Sequence, residues 1–292
     1  MTRTWFITGS SSGFGRIWAE AALERGDRVA ATARSLASIG DLAQTYGDRV
    51  LTLQLDVTDR AAVLAAVRHT VERFGSLDVV VNNAGYGHFG MVEELTEQEL
   101  RDQLETNLFG AVWVTQAVLP VLRDQGHGHI LQITSEGGIR AFPGIGAYHA
   151  SKWALEGISE SLWQEVEPFG IRITNVEPGP YATQWLDHGS VSSTPLAAYD
   201  GVRESTRQEW EVGDPAATAQ AILDLVDAQD PPRRLLLGRS FDAIGAIYRD
   251  RLDTWEQWQP TALRAFGTPG ENGTESSELR TGPGGARGAS GR

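Results

Sequence analysis

Along this chain short apolar runs alternate with longer amphipathic stretches, the pattern of a parallel sheet covered by helices on both faces. The apolar runs predict seven strands: Trp5–Thr8, Arg28–Ala33, Val50–Leu55, Leu77–Asn82, His129–Thr134, Ile171–Val176 and Arg234–Leu237. Helical spacing predicts helices near 14–25, 37–46, 60–74, 97–124, 147–168 and 215–228, with another after Phe241. Crossovers of this length favour right-handed parallel connections. The expectation is a doubly wound α/β fold in a single domain over residues 1–262.

Two segments break the alternation. Residues 184–213 mix Trp185 and Trp210 with serines and charges just beyond Pro178-Gly179, where a lid over a cleft is expected. From Gly267 to Arg292 there are eight glycines and one large aliphatic residue, Leu279. Such a tail buries too little apolar surface to offset the entropy of ordering, so disorder is expected there.

Composition narrows the function. The 292 residues are 41% hydrophobic, enough for a large core. Lys plus Arg number 25 against 38 Asp plus Glu, a net charge of −13, which opposes attraction to phosphate backbones and argues against a nucleic-acid partner. With no cysteine, disulfides and thiolate metal sites are excluded. His127-Gly-His129, the one close histidine pair, lacks a carboxylate motif and reads as a turn entering a strand, so no metal is expected. The opening MTRTWFITG runs straight into a strand with no secretory leader, and no run of about 18 apolar residues occurs, so a cytoplasmic protein without a membrane span is expected.

Candidate chemistry starts where the first strand ends, at Thr8-Gly9-Ser10-Ser11-Ser12-Gly13-Phe14-Gly15. Glycines permit close backbone approach, and the unpaired N–H groups of a helix start suit a pyrophosphate. Thr8, Gly9, Ser11, Ser12, Gly13, Phe14 and Gly15 are therefore expected to cradle a dinucleotide on a Rossmann-type sheet. The second strand ends Ala33-Arg34, with no acid for an adenosine ribose and a guanidinium suited to a 2′-phosphate. NADP(H) is the expected cofactor. Arg16 is either a second positive charge or an ordinary solvent-exposed residue.

Farther along, Tyr148 and Lys152 stand four residues apart in AYHASK, thirteen residues after Ser135. On a helix that spacing puts both side chains on one face. A phenol of pKa near ~10 exchanges protons at neutral pH only if a cation steadies its phenolate, and Lys152 is the expected source of that charge. The glycine turn also satisfies Gly-x-Ser-x-Gly with Ser11 as nucleophile, but it follows the first strand rather than a later central one, which argues against a hydrolase. A non-catalytic NADP-binding sensor or scaffold is the other alternative, and retention of serine, tyrosine and lysine together speaks against it.

Thr8-Gly9-x-x-x-Gly13-x-Gly15, Asp56-Val57, Asn82-Asn83-Ala84-Gly85, Asn107, Ser135, Tyr148-x-x-x-Lys152 and Pro178-Gly179 through Thr183 together resemble the single-domain short-chain dehydrogenases/reductases, over about residues 3–240. The resemblance implies that Asp56 and Val57 border the adenine and that Asn83, Ala84 and Gly85 shape the sheet edge beneath the cofactor, unless those amides merely satisfy backbone groups. It implies that Thr183, with Pro178, Gly179 and Tyr181 beside it, meets the nicotinamide end. Tyr148 becomes the general acid of carbonyl reduction, Ser135 steadies the substrate oxygen, and Lys152 holds the nicotinamide ribose. Asn107 holds a water linking Lys152 to solvent, or simply bonds across a helix irregularity. His88, Phe89, Phe142, Ile145, Trp185 and Leu186 are substrate-pocket candidates, mostly apolar, which suggests a hydrophobic ketone or secondary alcohol as the small-molecule partner. The long helices near 97–124 and 147–168 resemble those that pair subunits in the family, implying a homodimer or homotetramer. Glu136, directly after Ser135, is unexplained at this level.

Overall fold

A computed structural model describes residues 2–184, 189–206 and 211–267. In chain order it contains β1 (Thr4–Ile7), α1 (Gly13–Glu24), β2 (Arg28–Ala33), α2 (Gly40–Tyr46), β3 (Val50–Gln54), α3 (Arg60–Phe74), β4 (Val79–Asn82), β5 (Gly87–Phe89) and α4 (Glu97–Leu104). There follow α5 (Gly110–Gln125), β6 (Gly128–Ile133), α6 (Gly146–Val166), β7 (Ile171–Pro178), β8 (Ser190–Ser192), α7 (Asp200–Ser205), α8 (Thr218–Asp227), β9 (Arg234–Leu237) and α9 (Phe241–Phe266). Two compact units divide the chain, Met1–Gly245 and Ala246–Arg292. The sheet lies wholly in the first. The described part of the second is the remainder of α9, where Leu252, Trp255, Trp258 and Leu263 are exposed.

All seven expected strands form, each within two residues of its predicted bounds, in one parallel sheet ordered β3-β2-β1-β4-β6-β7-β9. Every residue of β1 is buried, as a strand covered on both faces requires. Side chains alternate across a strand, so Trp5 and Ile7 enter the layer holding Trp18, Leu23 and Leu42, while Phe6 enters the opposite layer with Val63, Val114 and Leu122. Local signals set helix ends. Asp59 accepts a bond from Ala62 N at 3.0 Å to start α3, and Gly75 ends it at φ +79°, a left-handed conformation that favours glycine.

The order reverses between β1 and β4: one crossover series runs outward through β2 and β3, the other through β6, β7 and β9. At such a switch point the loops beyond the carboxyl ends diverge and leave a crevice. Residues 8–15 and 83–85 flank it.

Three local features depart from expectation. The single helix over 97–124 is α4 and α5 joined by a π-helical turn, Glu105–Phe109, and α5 accommodates Pro120. The predicted 37–46 helix opens with a separate 3₁₀ turn, Leu36–Ser38. In the region predicted as a lid, β8 pairs in parallel with β5, a two-stranded sheet that no local pattern announced. Trp185, Leu186, Trp210 and residues 268–292 lie outside the described residues. Among the described residues no helix is long and apolar enough to cross a membrane, and no group of three or more His, Cys, Asp or Glu is placed to hold a metal.

Candidate active site

A cleft of about 700 Å³ opens at the carboxyl ends of the central strands. Its floor is the glycine turn. Gly9 and Gly13 have φ of +70° and +55°, and α1 begins at Gly13 without a side-chain cap from Ser12. Gly9, Ser11, Ser12, Gly13 and Phe14 line the cleft. Gly15 lies behind it, where a Cβ would stand 2.4 Å from Gly9 O and 2.5 Å from Asn83 Nδ2. Thr8 and Asn83 lock the two sides of the switch point together. Thr8 Oγ1 accepts from Asn83 N at 2.9 Å and Ala84 N at 3.0 Å, while Asn83 Nδ2 donates to Thr8 O at 2.9 Å and Gly9 O at 3.1 Å. These polar groups shape the cradle and are spent on protein partners. Ala84 and Gly85 line the cleft beside them.

At the outer end Arg34, Asp56 and Val57 line the cleft. Arg34 is exposed and its guanidinium makes no ion pair among the described residues; its carbonyl accepts from Gln54 Nε2 at 3.0 Å. Asp56 accepts from Thr58 N at 3.0 Å and Thr58 Oγ1 at 2.8 Å, closing a turn. Arg16 is occupied elsewhere, gripping Glu20 at 2.7 Å and both oxygens of Asp41, so of its two readings the structure shows a charge committed to carboxylates.

At the inner end α6 presents Tyr148 and Lys152 to the cleft from one face, with Ser135 opposite at the end of β6. Ser135 Oγ accepts from Gly137 N at 3.0 Å, lies 3.4 Å from Pro178 O and hydrogen-bonds the Tyr148 side chain. Lys152 is buried, and its Nζ donates to Ile133 O at 2.8 Å, 5.7 Å from the centre of the Tyr148 ring. Burial pulls Lys152 down to about 8, with Glu156 opposing. Burial also pushes Tyr148 up to about 12, although part of the ring stays open to the cleft. The expected depression of the phenol by Lys152 is thus absent here: desolvation dominates, and the amine is turned to a backbone carbonyl.

Asn107 sits in the π-helical turn, 1% exposed. Its Oδ1 accepts from Tyr86 N at 3.0 Å, and its Nδ2 donates to Tyr86 O at 3.0 Å and Ser151 Oγ at 3.1 Å. Both ends of the amide clamp the loop after β4 against α6, and Asn107 does not line the cleft. Gly85 makes that approach possible, since a Cβ there would stand 3.0 Å from Asn107 Oδ1 and 3.6 Å from Lys152 Nζ.

Pro178, Gly179, Tyr181 and Thr183 line the cleft, and so do Phe89, Phe142 and Ile145. His88 does not. It is 2% exposed with Nε2 2.8 Å from Ser193 Oγ, because β5 turns it away from the cleft toward the segment after β8. Sequence reasoning missed His149, whose Nδ1 donates to Gly137 O at 2.8 Å while Nε2 accepts from Phe142 N at 3.1 Å. Those two bonds hold the loop that carries Ser135, and its place next to Tyr148 was the available signal. Glu136 now has a reason: it is buried, pairs with Arg140 at 2.9 Å, and Arg140 lies over the Phe142 ring at 5.8 Å.

One helical turn beyond Lys152, Glu156 meets Glu177 of β7 around Arg234 of β9, which also reaches Glu160. Three carboxylates surround one guanidinium. Burial and then Glu156 push Glu177 from 4.5 up to about 7. Its proton therefore favours the fold at acid pH, and that contribution is lost as pH rises through about 7. Glu177→Gln is expected to raise Tm by roughly 2 to 4 °C at pH 8 and by little at pH 5. Thermal unfolding at both pH values checks it; an equal shift at both removes the ionisation account.

Comparison with known proteins agrees with this geometry. The sequence pattern of the short chain dehydrogenase family matches residues 3–190. The chain is 45% identical over 245 residues to "Oxidoreductase BOA17" of Botryotinia fuckeliana, covering 82% of this chain and 89% of that one. It is 37% identical over 268 residues to a 3-ketodihydrosphingosine reductase of Bacteroides thetaiotaomicron, covering 89% and 96%. A solved short-chain dehydrogenase from Streptomyces avermitilis superposes with a TM-score of 0.83 at 38% identity, covering 90% and 98%. With a parallel sheet broken at its switch point, a glycine cradle there and serine, tyrosine and lysine above it, the chain belongs to the short-chain dehydrogenase family of oxidoreductases.

Proposed function

We propose that the protein transfers hydride between NADP(H) and a hydrophobic ketone or secondary alcohol, with Tyr148 as the general acid and base. The observation that carries this is the meeting of Ser135, Tyr148 and Lys152 in the cleft that the glycine turn floors. The residues fit a dinucleotide: Gly9 and Gly13 keep side chains out of the cradle, the N-terminus of α1 faces it, and Arg34 stands free at the adenosine end. When bound, the reduced nicotinamide supplies the hydride.

The chain's own groups do the rest. Tyr148, held protonated well past neutrality by burial, donates its proton to the substrate oxygen. Run backwards, the same group, ionised, takes the proton of an alcohol. Ser135 donates its hydroxyl toward the same oxygen and is preorganised for it by Gly137 N. Lys152, with Nζ bonded to Ile133 O and 5.7 Å from the Tyr148 ring, keeps two further N–H donors that would serve the cofactor ribose and a forming phenolate. Asn107 positions the Tyr86 loop and α6 and touches no reacting atom.

Apolar walls at Phe89, Phe142 and Ile145 support a hydrophobic substrate, and the 3-ketodihydrosphingosine named for the Bacteroides relative is a fitting example of a ketone. A panel of long-chain and cyclic ketones, followed by loss of NADPH absorbance, tests the reaction. Tight NADPH binding with no turnover of any ketone replaces this reading with that of a sensor. For the cofactor, Arg34→Ala is expected to weaken NADPH by roughly 10- to 100-fold, the worth of a charge-assisted contact to phosphate, and to leave NADH unchanged. Equal losses for both cofactors assign Arg34 no part in the preference. Association as a homodimer or homotetramer through α5 and α6, where Trp153 and Ile158 are each 40% exposed, belongs to the same reading and fails if light scattering returns a monomer's mass.

A further inference from the structure

Residues 190–203 form part of the cleft wall through Ser190 and Val191, yet the family pattern ends at residue 190. A parallel pair of three-residue strands, β5 with β8, is marginal by itself. What holds the segment is two carboxylates, Glu94 in the turn between β5 and α4 and Glu99 in the first turn of α4. Glu94, its side chain 2% exposed, accepts from Met91 N at 2.7 Å on its own turn and from Leu196 N and Arg203 Nη1, both at 2.6 Å, across the gap. Arg203 also donates to Leu196 O at 2.6 Å.

Glu99 makes a second anchor. It accepts from Thr96 N at 2.7 Å and from Ser193 Oγ at 3.1 Å. A serine has a single hydroxyl proton, so with that proton on Glu99 the 2.8 Å contact to His88 has His88 Nε2–H donating to Ser193. The three side chains do not form a hydrolytic triad, in which the carboxylate holds the imidazole nitrogen opposite the serine. Here Glu99 approaches the same nitrogen, 3.7 Å from Nε2, and Ser193 is buried. Gly90 lets Ser193 in, since a Cβ at Gly90 would stand 2.8 Å from Ser193 Oγ and 3.0 Å from Ser193 Cβ. Gly90 N in turn donates to Gly144 O at 2.8 Å, beside Ile145 of the opposite wall.

We propose that Glu94 and Glu99 are positioning residues for the substrate: by holding Leu196, Arg203 and Ser193 they keep Val191 as a standing wall of the cleft before any ligand arrives. What the wall admits rests on the hydride-transfer reading above; the latch does not. Arg203→Met cuts the first anchor, Arg203→Lys restores a cation, and Gly90→Ala pushes Ser193 off the second. Amide hydrogen exchange of the full-length protein without ligand reads the Ser193 amide, which bonds Phe89 O at 2.8 Å. Exchange there is expected to quicken by at least about tenfold in Arg203→Met and Gly90→Ala and to stay near wild type in Arg203→Lys. KM for a ketone that the wild type reduces is expected to rise roughly tenfold, with kcat within about threefold and NADPH affinity unchanged.

Unaltered exchange in both disrupted variants overturns the latch, and faster exchange with unchanged KM overturns the positioning role. A wild type that reduces no ketone defeats the reaction reading alone, and the exchange comparison still decides the latch. Should Gly90→Ala fail to fold, the methionine and lysine variants at Arg203, which is partly exposed, carry the same comparison.

Discussion

Tyr148→Phe is expected to lower ketone turnover by about 100- to 10,000-fold, the range for loss of a positioned proton donor. The ring remains, so NADPH affinity should hold; the hydroxyl removed is bonded to Ser135, so Tm should fall by no more than roughly 2 to 6 °C. Retained cofactor binding separates a chemical role from a structural one. The pH profile of the wild type adds an independent signature. Lys152 is charged below its lowered value of about 8 and neutral above it, so the stabilisation that its ammonium lends to a forming phenolate is lost as pH rises through that value. Reduction by the wild type should therefore decline above about pH 8, and Lys152→Met should be slow at every pH with that limb absent. Near-normal turnover in Tyr148→Phe would falsify the acid/base assignment.

Gly15→Ala is expected to destabilise the fold and to weaken NADPH binding together. Two effects compete. Gly15 lies in α1 outside the left-handed region, so alanine there gains about 1 kcal/mol of helix propensity. Against this, its Cβ would stand 2.4 Å from Gly9 O, a backbone atom that cannot rotate away, and 2.5 Å from Asn83 Nδ2. Forced overlap in a packed site costs typically about 1 to 3 kcal/mol and here displaces the very turn that shapes the cradle. The overlap wins, with Tm falling by roughly 2 to 8 °C. Gly26 is the contrast: its φ is +97° and nothing lies within 4 Å of the place a Cβ would take, so Gly26→Ala carries backbone strain without a clash and should leave NADPH affinity intact. Both variants are read by thermal unfolding and NADPH titration. Unchanged affinity in Gly15→Ala would show that the turn tolerates the shift.

The two predictions differ in how early they were legible. Tyr148 and Lys152 were readable from their spacing alone, because a helix converts a separation of four into a shared face. Even so, their electrostatics were not. The sequence suggested a phenol made acidic by its neighbour, whereas burial raises Tyr148 and Lys152 Nζ is bonded to Ile133 O, a carbonyl in a strand 19 residues earlier. Arg16 and Arg34 looked alike as cations near the glycine turn. Which of them was free depended on Asp41, delivered to Arg16 by the α2 region.

Alternation of apolar and polar positions by itself determined the seven strands, most helices and the place of the glycine turn, because each is written in neighbours along the chain. Tertiary structure alone decided the rest. It turned His88 from the cleft to Ser193, bent the chain through a π-helical turn so that Asn107 clamps Tyr86, and paired β5 with a strand about a hundred residues later. Those outcomes are contacts between segments remote in sequence, and which donor reaches which acceptor follows from the packing of whole elements, for which no local period exists.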